Sequence, residues 1–248
     1  MLDWKTLAKK RIERYTGIRI YRHSPPRGVD FVYDARNVLI PERVSVVFDV
    51  GANIGQSADW FHRSYCNARI FCFEPVDSTF RELARRVSGL TRIQTFRMAI
   101  GSARGKQEIF INSDPVSSVN SFVNAFAGDD RQLVDVETLD DFCESKQIRE
   151  IDLLKVDVEG YEMEVLKGAR RLLSQKRIKC CYLEAAPRFN NQYHFVSIAE
   201  IDGYLSDLGY SAYGIYEQQK DELRRIDRLY FFNVAYMQDE LCRSLRVE

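Results

Sequence analysis

Several residues in this 248-residue chain have types and spacings suited to chemistry. A turn reads Asp49-x-Gly51-x-Asn53-x-Gly55. Glycine at 51 and 55 allows positive φ and close backbone approach, and asparagine at 53 is the next most tolerant type. A dinucleotide site expects G-x-G-x-x-G with a pyrophosphate at the helix start. Here the glycines are four apart, and Asp49 would repel a pyrophosphate while favouring the ammonium of an amino-acid-bearing cofactor. Glu74 follows, at the end of the next apolar run, where a carboxylate can accept both ribose hydroxyls of a nucleoside.

Further acids stand in the second half. Asp157 and Glu159 are two apart, so an extended backbone would point them the same way, and Glu184 ends a later apolar run. Such carboxylates can share a proton, which lifts one pKa into a useful range. Equally, Asp157, Glu159 and Glu184 can hold a divalent cation that acidifies a bound hydroxyl. The plainer readings are helix capping for Asp157, and a surface or first-turn role for Glu159 and Glu162. His194, in the loop after Pro187, titrates in the range of a general base, although a solvated side chain is its other reading. Arg188 in the same loop suits an anionic group or open solvent. Ser117-Ser118-Val119-Asn120-Ser121 offers hydroxyls and an amide for sugar hydroxyls or a ligand carboxylate, and Tyr161, Phe122 and Phe126 are candidate walls or core.

These groups need a frame that brings them to one edge. Residues 44–50 form a β-branched and aromatic run ending in glycine, the mark of a buried parallel strand. Helix is expected over 57–65, strand over 69–73, a helix capped by Asp77 to about 87, and strand over 93–100. Residues 106–111 read as extended, in a hairpin with what precedes them. Residues 112–128 read as a functional loop. Strands over 133–137, 152–156 and 178–183 alternate with helices over 139–145, 162–173 and 198–208. Residues 210–216 and 228–235 close the chain as a strand pair. This rhythm predicts a doubly wound, mostly parallel α/β sheet, with ligands beyond the carboxyl ends of its strands.

Composition narrows the function class. Lysine plus arginine and aspartate plus glutamate number 36 each, which gives no global case for nucleic acid. No apolar run approaches the roughly 20 residues needed to span a bilayer, and the start lacks the apolar core of a signal peptide. Six cysteines without CxxC pairing read as reduced core thiols of a cytoplasmic protein, with Cys72, Cys180 and Cys181 in buried strands. Trp4, Leu7, Ala8, Ile12 and Tyr15 recur at helical spacing opposite a basic face. That N-terminal helix reads as a packing helix with a solvated face, with a homo-oligomer contact or a peripheral membrane contact as the other readings. The division expected is a helix and lead-in over 1–40 and one domain over 41–248.

The ordered motifs resemble the FkbM family of methyltransferases. The resemblance rests on Phe48-Asp49-Val50-Gly51-Ala52-Asn53-Ile54-Gly55-Gln56, Phe73-Glu74-Pro75, Ala99-Ile100-Gly101, Val136-Glu137-Thr138-Leu139-Asp140 and Leu154-Lys155-Val156-Asp157-Val158-Glu159-Gly160-Tyr161-Glu162. It implies a class I methyltransferase (Rossmann-like) fold, S-adenosylmethionine as donor, and O-methylation of a sugar, glycolipid or natural-product acceptor. It also implies that Asp49, Gly51, Asn53 and Gly55 surround the methionine part of the donor, and Glu74 its ribose. Many methyltransferases place an acid after the third strand for the adenine amino group. Here Met98-Ala99-Ile100 stands there, so that contact falls to a backbone group near Ala99. Methyl transfer to a hydroxyl needs positioning and proton removal, for which Asp157, Glu159, Glu184 and His194 are the candidates. N-methylation is the second enzyme reading, against which stands the absence of an Asn/Asp-Pro-Pro-Tyr motif. A non-catalytic cofactor-binding protein of the same fold is the third.

Overall fold

The computed structural model describes residues 21, 24–111, 121–122, 130–188, 195–221 and 226–244. The expected N-terminal helix, Ser118, Phe126 and His194 lie outside the described residues. The chain opens with α1 (Phe31–Ala35), whose first turn is capped by the Asp30 carboxylate accepting from Tyr33 N–H. Then come β1 (Val46–Val50), α2 (Gln56–Ser64), β2 (Arg69–Phe73), α3 (Asp77–Arg86), β3 (Ile93–Phe96), β4 (Ala99–Ile100), β5 (Gly105–Phe110) and β6 (Arg131–Glu137). The second half adds α4 (Leu139–Ser145), β7 (Ile151–Val156), α5 (Glu162–Gly168), α6 (Arg170–Ser174), β8 (Ile178–Ala185), α7 (Ile198–Asp207), β9 (Tyr210–Asp221), β10 (Ile226–Gln238) and α8 (Asp239–Ser244).

Seven strands form one sheet in the order β3-β2-β1-β7-β8-β10-β9. The first five are mutually parallel, and β10 runs antiparallel to both β8 and β9. β1 and β7 are buried along their whole length, as expected for strands covered on both faces. Alternate residues feed two cores. Phe48, Phe71, Phe73 and Leu154 face α4, α5, α6 and α7, while Val47, Ile70 and Leu153 face α1, α2 and α3. This is the class I methyltransferase arrangement, with the chain reversal between β1 and β7 at the centre of the sheet. No helix among the described residues is long and apolar enough to cross a membrane.

The structure departs from the expected elements in five places, four of them after β1. The strand expected over 93–100 divides. β3 lies beside β2 in the main sheet, whereas β4 pairs with β6 in a second sheet of order β4-β6-β5. β5 accordingly finds its antiparallel partner in β6, not in the segment before it. The helix expected over 162–173 breaks at Ala169, where Gly168 passes so close that a Cβ would sit 2.0 Å from Gly101 O. Asp77 does not cap α3 but begins it. Its N–H goes to Gln132 Oε1 and its carboxylate to Arg81 and Arg97.

Part of the lead-in is helical where extended pieces were expected. α1 packs on the sheet face shared with α2 and α3, with the Phe31 ring 4.6 Å from that of Tyr182 and 5.5 Å from that of Tyr216. The buried cysteines Cys72, Cys143, Cys180 and Cys181 are free thiols.

Candidate active site

The turn after β1 is built for close approach. Gly51 and Ala52 N–H both donate to Phe73 O, at 3.1 and 3.0 Å, which ties the end of β1 to the end of β2. Gly51 has φ +76, and a Cβ there would lie 1.8 Å from Asp157 O. Only glycine lets the β1 turn and the β7 end pass at this distance. Asn53 adopts φ +49, and Gly55 starts α2 at φ +92. A side chain at 55 would meet Leu83 of α3 rather than open space.

A buried ionic row lies beneath the turn. Asp49 of β1 is in register with Lys155 of β7, which is in register with Tyr182 of β8. Asp49 is fully buried, with Oδ1 3.1 Å from Lys155 Nζ and Oδ2 accepting from Ser57 Oγ at 2.6 Å. Lys155 Nζ also lies 3.3 Å from Asp157 Oδ2 and donates to Gly51 O at 3.0 Å. Burial alone would lower the Lys155 pKa. The carboxylates of Asp49 and Asp157 reverse that and hold the ammonium more firmly protonated than in water.

The acids expected as catalytic or metal-binding meet here. One oxygen each of Asp157, Glu159 and Glu184 lies within 4.8 Å of the other two. The backbone does not achieve this by extension. Glu159 sits at φ +54 and Gly160 at φ +97, a left-handed turn that brings Glu159 back toward Asp157. Glu162 holds that turn. Its side chain is buried, and Oε1 accepts from Val158 and Gly160 N–H, both at 3.2 Å. Neither Asp157 nor any other side chain caps α5. Ser121 Oγ donates to Glu159 O at 2.6 Å and closes the turn from the other side.

Crowded, buried carboxylates keep protons. Burial, then the charges of Asp157 and Glu162, push Glu159 up to about 8. Burial raises Glu162 to about 7 against the pull of its backbone donors. Glu184 is pushed well above the carboxylate range by burial and by Asp157, Glu159 and Glu162. Glu74 at the end of β2 also rises to about 7 through burial, opposed by N–H groups of Val76 and Asn53.

One cavity of about 460 Å³ gathers most of these groups. Gly51, Asn53, Glu74, Ala99, Asp157 and Glu159 line it. Met98, Ile109 and Phe122 give it an apolar wall, and the Phe122 ring packs 4.5 Å from that of Tyr161, which itself stands behind the wall. Trp60, Tyr182, Glu217 and Asn233 line the cavity as well, the last two joined by a 2.7 Å hydrogen bond. Asp49 and Gly55 sit beneath and behind the turn, and Arg188 is exposed.

Sequence reasoning left Lys155 without a role, although a lone lysine inside the apolar run Ile151–Val156 is itself a signal of a buried partner. It also left Glu217 and Asn233 unassigned. They reach the cavity only because β9 and β10 fold back beside β8, and no local spacing announces that.

A family model described as methyltransferase FkbM domain matches residues 49–212. The chain is 27% identical over 153 residues to the 2-O-methyltransferase NoeI of Sinorhizobium fredii, a match covering 56% of this chain and 63% of that protein. It is 31% identical over 139 residues to the hexuronic acid methyltransferase AglP of Haloferax volcanii, covering 53% of each. The matches thus span between half and two thirds of these relatives. Among solved structures, an rRNA methylase from Streptococcus thermophilus superposes with TM-score 0.47 at 10% identity, covering 84% of this chain and 93% of that one.

Proposed function

The chain belongs to the FkbM methyltransferase family, and from that premise we propose that it transfers a methyl group from S-adenosylmethionine to a hydroxyl of a sugar or sugar-bearing acceptor. The observation that carries the reading is that one cavity joins the glycine-asparagine turn and Glu74 to the carboxylates Asp157 and Glu159.

The cavity fits such a donor. Its volume lies within the roughly 300–1,000 Å³ of small-molecule sites, with an apolar slot and a few convergent polar groups. Gly51 and Asn53 would cradle the methionine end, with Asp49 supporting that cradle from below through Lys155. Glu74, ending β2, would accept from the ribose hydroxyls. Ala99, beside Met98 and Ile109, would flank the base. When bound, S-adenosylmethionine supplies a methyl group already activated on a sulfonium sulfur. The chain's own task is then to hold the acceptor oxygen in line and to take its proton.

Glu159 suits proton removal, because its pKa near 8 matches a base working around neutrality. Lys155 keeps the neighbouring Asp157 anchored. The names of the two relatives, a 2-O-methyltransferase and a hexuronic acid methyltransferase, support a sugar as acceptor.

Titration calorimetry on the full chain stripped of cofactor tests the donor half. Binding of S-adenosylmethionine is expected, weakened in Glu74→Gln. A screen with isotopically labelled donor against sugar nucleotides and lipid-linked sugars tests the acceptor half. Absence of donor binding at high micromolar concentration would end the reading.

A further inference from the structure

We propose that Asp157, Glu159 and Glu184 form a site for one hard divalent cation, Mg²⁺ or Mn²⁺ in kind, which also receives oxygens of the acceptor. The acceptor clause rests on the methyl-transfer reading above; the cation site stands on geometry alone.

Three carboxylate oxygens lie within 4.8 Å of one another at the carboxyl ends of β7 and β8. The centre of such a triangle is at most about 2.8 Å from each corner, close to the roughly 2.0–2.6 Å that oxygen ligands keep from Mg²⁺ or Ca²⁺. An all-carboxylate set without histidine or thiol selects hard cations over zinc or copper.

Glu184 supplies the independent observation. It is only 9% exposed, and its Oε2 is buried with no hydrogen-bond partner among the described residues. A buried carboxylate oxygen without a donor is costly unless something outside the chain satisfies it. Lys155 does not serve. Its ammonium is taken by Asp49, Asp157 and Gly51 O. Glu159, a non-glycine residue at φ +54, carries backbone strain in presenting its carboxylate to this point, and Gly160 follows it in the same region without cost.

The arrangement also suits the chemistry. Three protein oxygens leave positions open for acceptor hydroxyls or a uronic-type carboxylate. A cation-bound hydroxyl is more acidic. Each carboxylate contributes one oxygen to the triangle, so a second oxygen remains to accept the proton.

The test uses the full chain, freed of metal, titrated with Mn²⁺ alone and followed by electron paramagnetic resonance. One Mn²⁺ per chain is expected, displaced by Mg²⁺, with a higher melting temperature when bound. Glu184→Gln is expected to weaken Mn²⁺ binding at least about tenfold. Should that variant fail to fold, Glu159→Gln, at a less buried position, carries the same expectation. Wild-type chain that binds no Mn²⁺ at millimolar concentration overturns the site, as does full affinity in both variants. Calorimetry with S-adenosylmethionine in chelator separates the two claims. Donor binding without Mn²⁺ binding sinks the cation site and leaves methyl transfer standing. Mn²⁺ binding without donor binding supports the site and sinks the transfer reading.

Discussion

Lys155 and Asp49 face each other in register across two neighbouring parallel strands, their charged atoms 3.1 Å apart and both side chains buried. The pair sits under the β1 turn, and Lys155 reaches on to Gly51 O and Asp157. One ammonium therefore links the glycine turn to the carboxylate cluster. Two strands whose carboxyl ends would otherwise repel are held together at the place where the cavity opens.

Removing that ammonium should be expensive. Lys155→Met keeps the length but leaves the Asp49 carboxylate buried with Ser57 as its one donor among the described residues, and breaking a buried pair in this way costs about 3–5 kcal/mol. Urea unfolding measures the loss. Asp49→Asn placed on the Lys155→Met background should restore part of it, as coupled neighbours are non-additive. The Lys155 pKa is raised by folding, so its contribution is fully present below its unfolded value near 10.4 and is lost only above it. The ammonium is charged at both pH 6 and pH 8, but it also draws down the pKa of Glu74, Glu159 and Glu184, so the penalty should be somewhat larger at pH 8, where more of these acids are ionised. A loss under 1 kcal/mol would remove Lys155 from this role.

Two glycines with the same backbone sign should respond differently to alanine. Gly51 and Gly89 have φ +76 and φ +89. A Cβ at 51 would strike Asp157 O, whereas nothing lies within 4 Å of one at 89. Gly89→Ala should cost about 1 kcal/mol of backbone strain. Gly51→Ala adds a backbone clash that neither strand end can relieve, and it should abolish donor binding or folding. Thermal melts and calorimetry of the two proteins check this. Similar melting temperatures would show that the β1 turn is looser than its geometry implies.

The contrast bears on what the sequence makes legible. The Asp49–Gly55 turn, Glu74 and the alternation of strand and helix are local, and each stands where its spacing says. Asp157, Glu159 and Glu184 meet as their positions at strand ends suggested, yet through a left-handed turn at Glu159 rather than an extended one. The split at Arg97, the β4–β6 pairing and the arrival of Asn233 beside the cavity depend on partners more than thirty residues away. Period and propensity carry no record of such pairings. Lys155 was visible as an anomaly in a buried strand, but its partner Asp49 is named only by strand register.

The crowded acids predict a pH trend in stability. Glu74 and Glu162 rise to about 7 and Glu159 to about 8, each from an ordinary 4.5 and each chiefly through burial. A raised carboxylate means that the folded chain holds protons the unfolded chain has released. Stability is then fully present below about pH 4.5 as far as these groups are concerned, and it falls as pH rises toward 8. The melting temperature of cofactor-free chain in chelator should drop between pH 5 and pH 8. Glu159→Gln should flatten the upper part of that slope. A melting temperature that climbs across the window would contradict the picture of a proton-sharing cluster.

Glu162 offers the sharpest separation of positioning from chemistry. It touches none of the cavity, yet its Oε1 takes the N–H groups on either side of Glu159. Glu162→Gln preserves a carbonyl acceptor and removes a charge that pushes Glu159 and Glu184 upward. Folding should survive, and the alkaline-rising limb of turnover should move to lower pH as Glu159 becomes easier to ionise. Glu162→Ala leaves two half-buried donors unmet, each at up to about 1–3 kcal/mol, and frees the turn. Turnover should then fall at every pH while the affinity for S-adenosylmethionine, read by calorimetry, changes little. A parallel loss of donor affinity in Glu162→Ala would mean that the turn supports the donor cradle instead of the proton acceptor. An unmoved pH limb in Glu162→Gln would mean that Glu159 is not the group whose ionisation the profile reports.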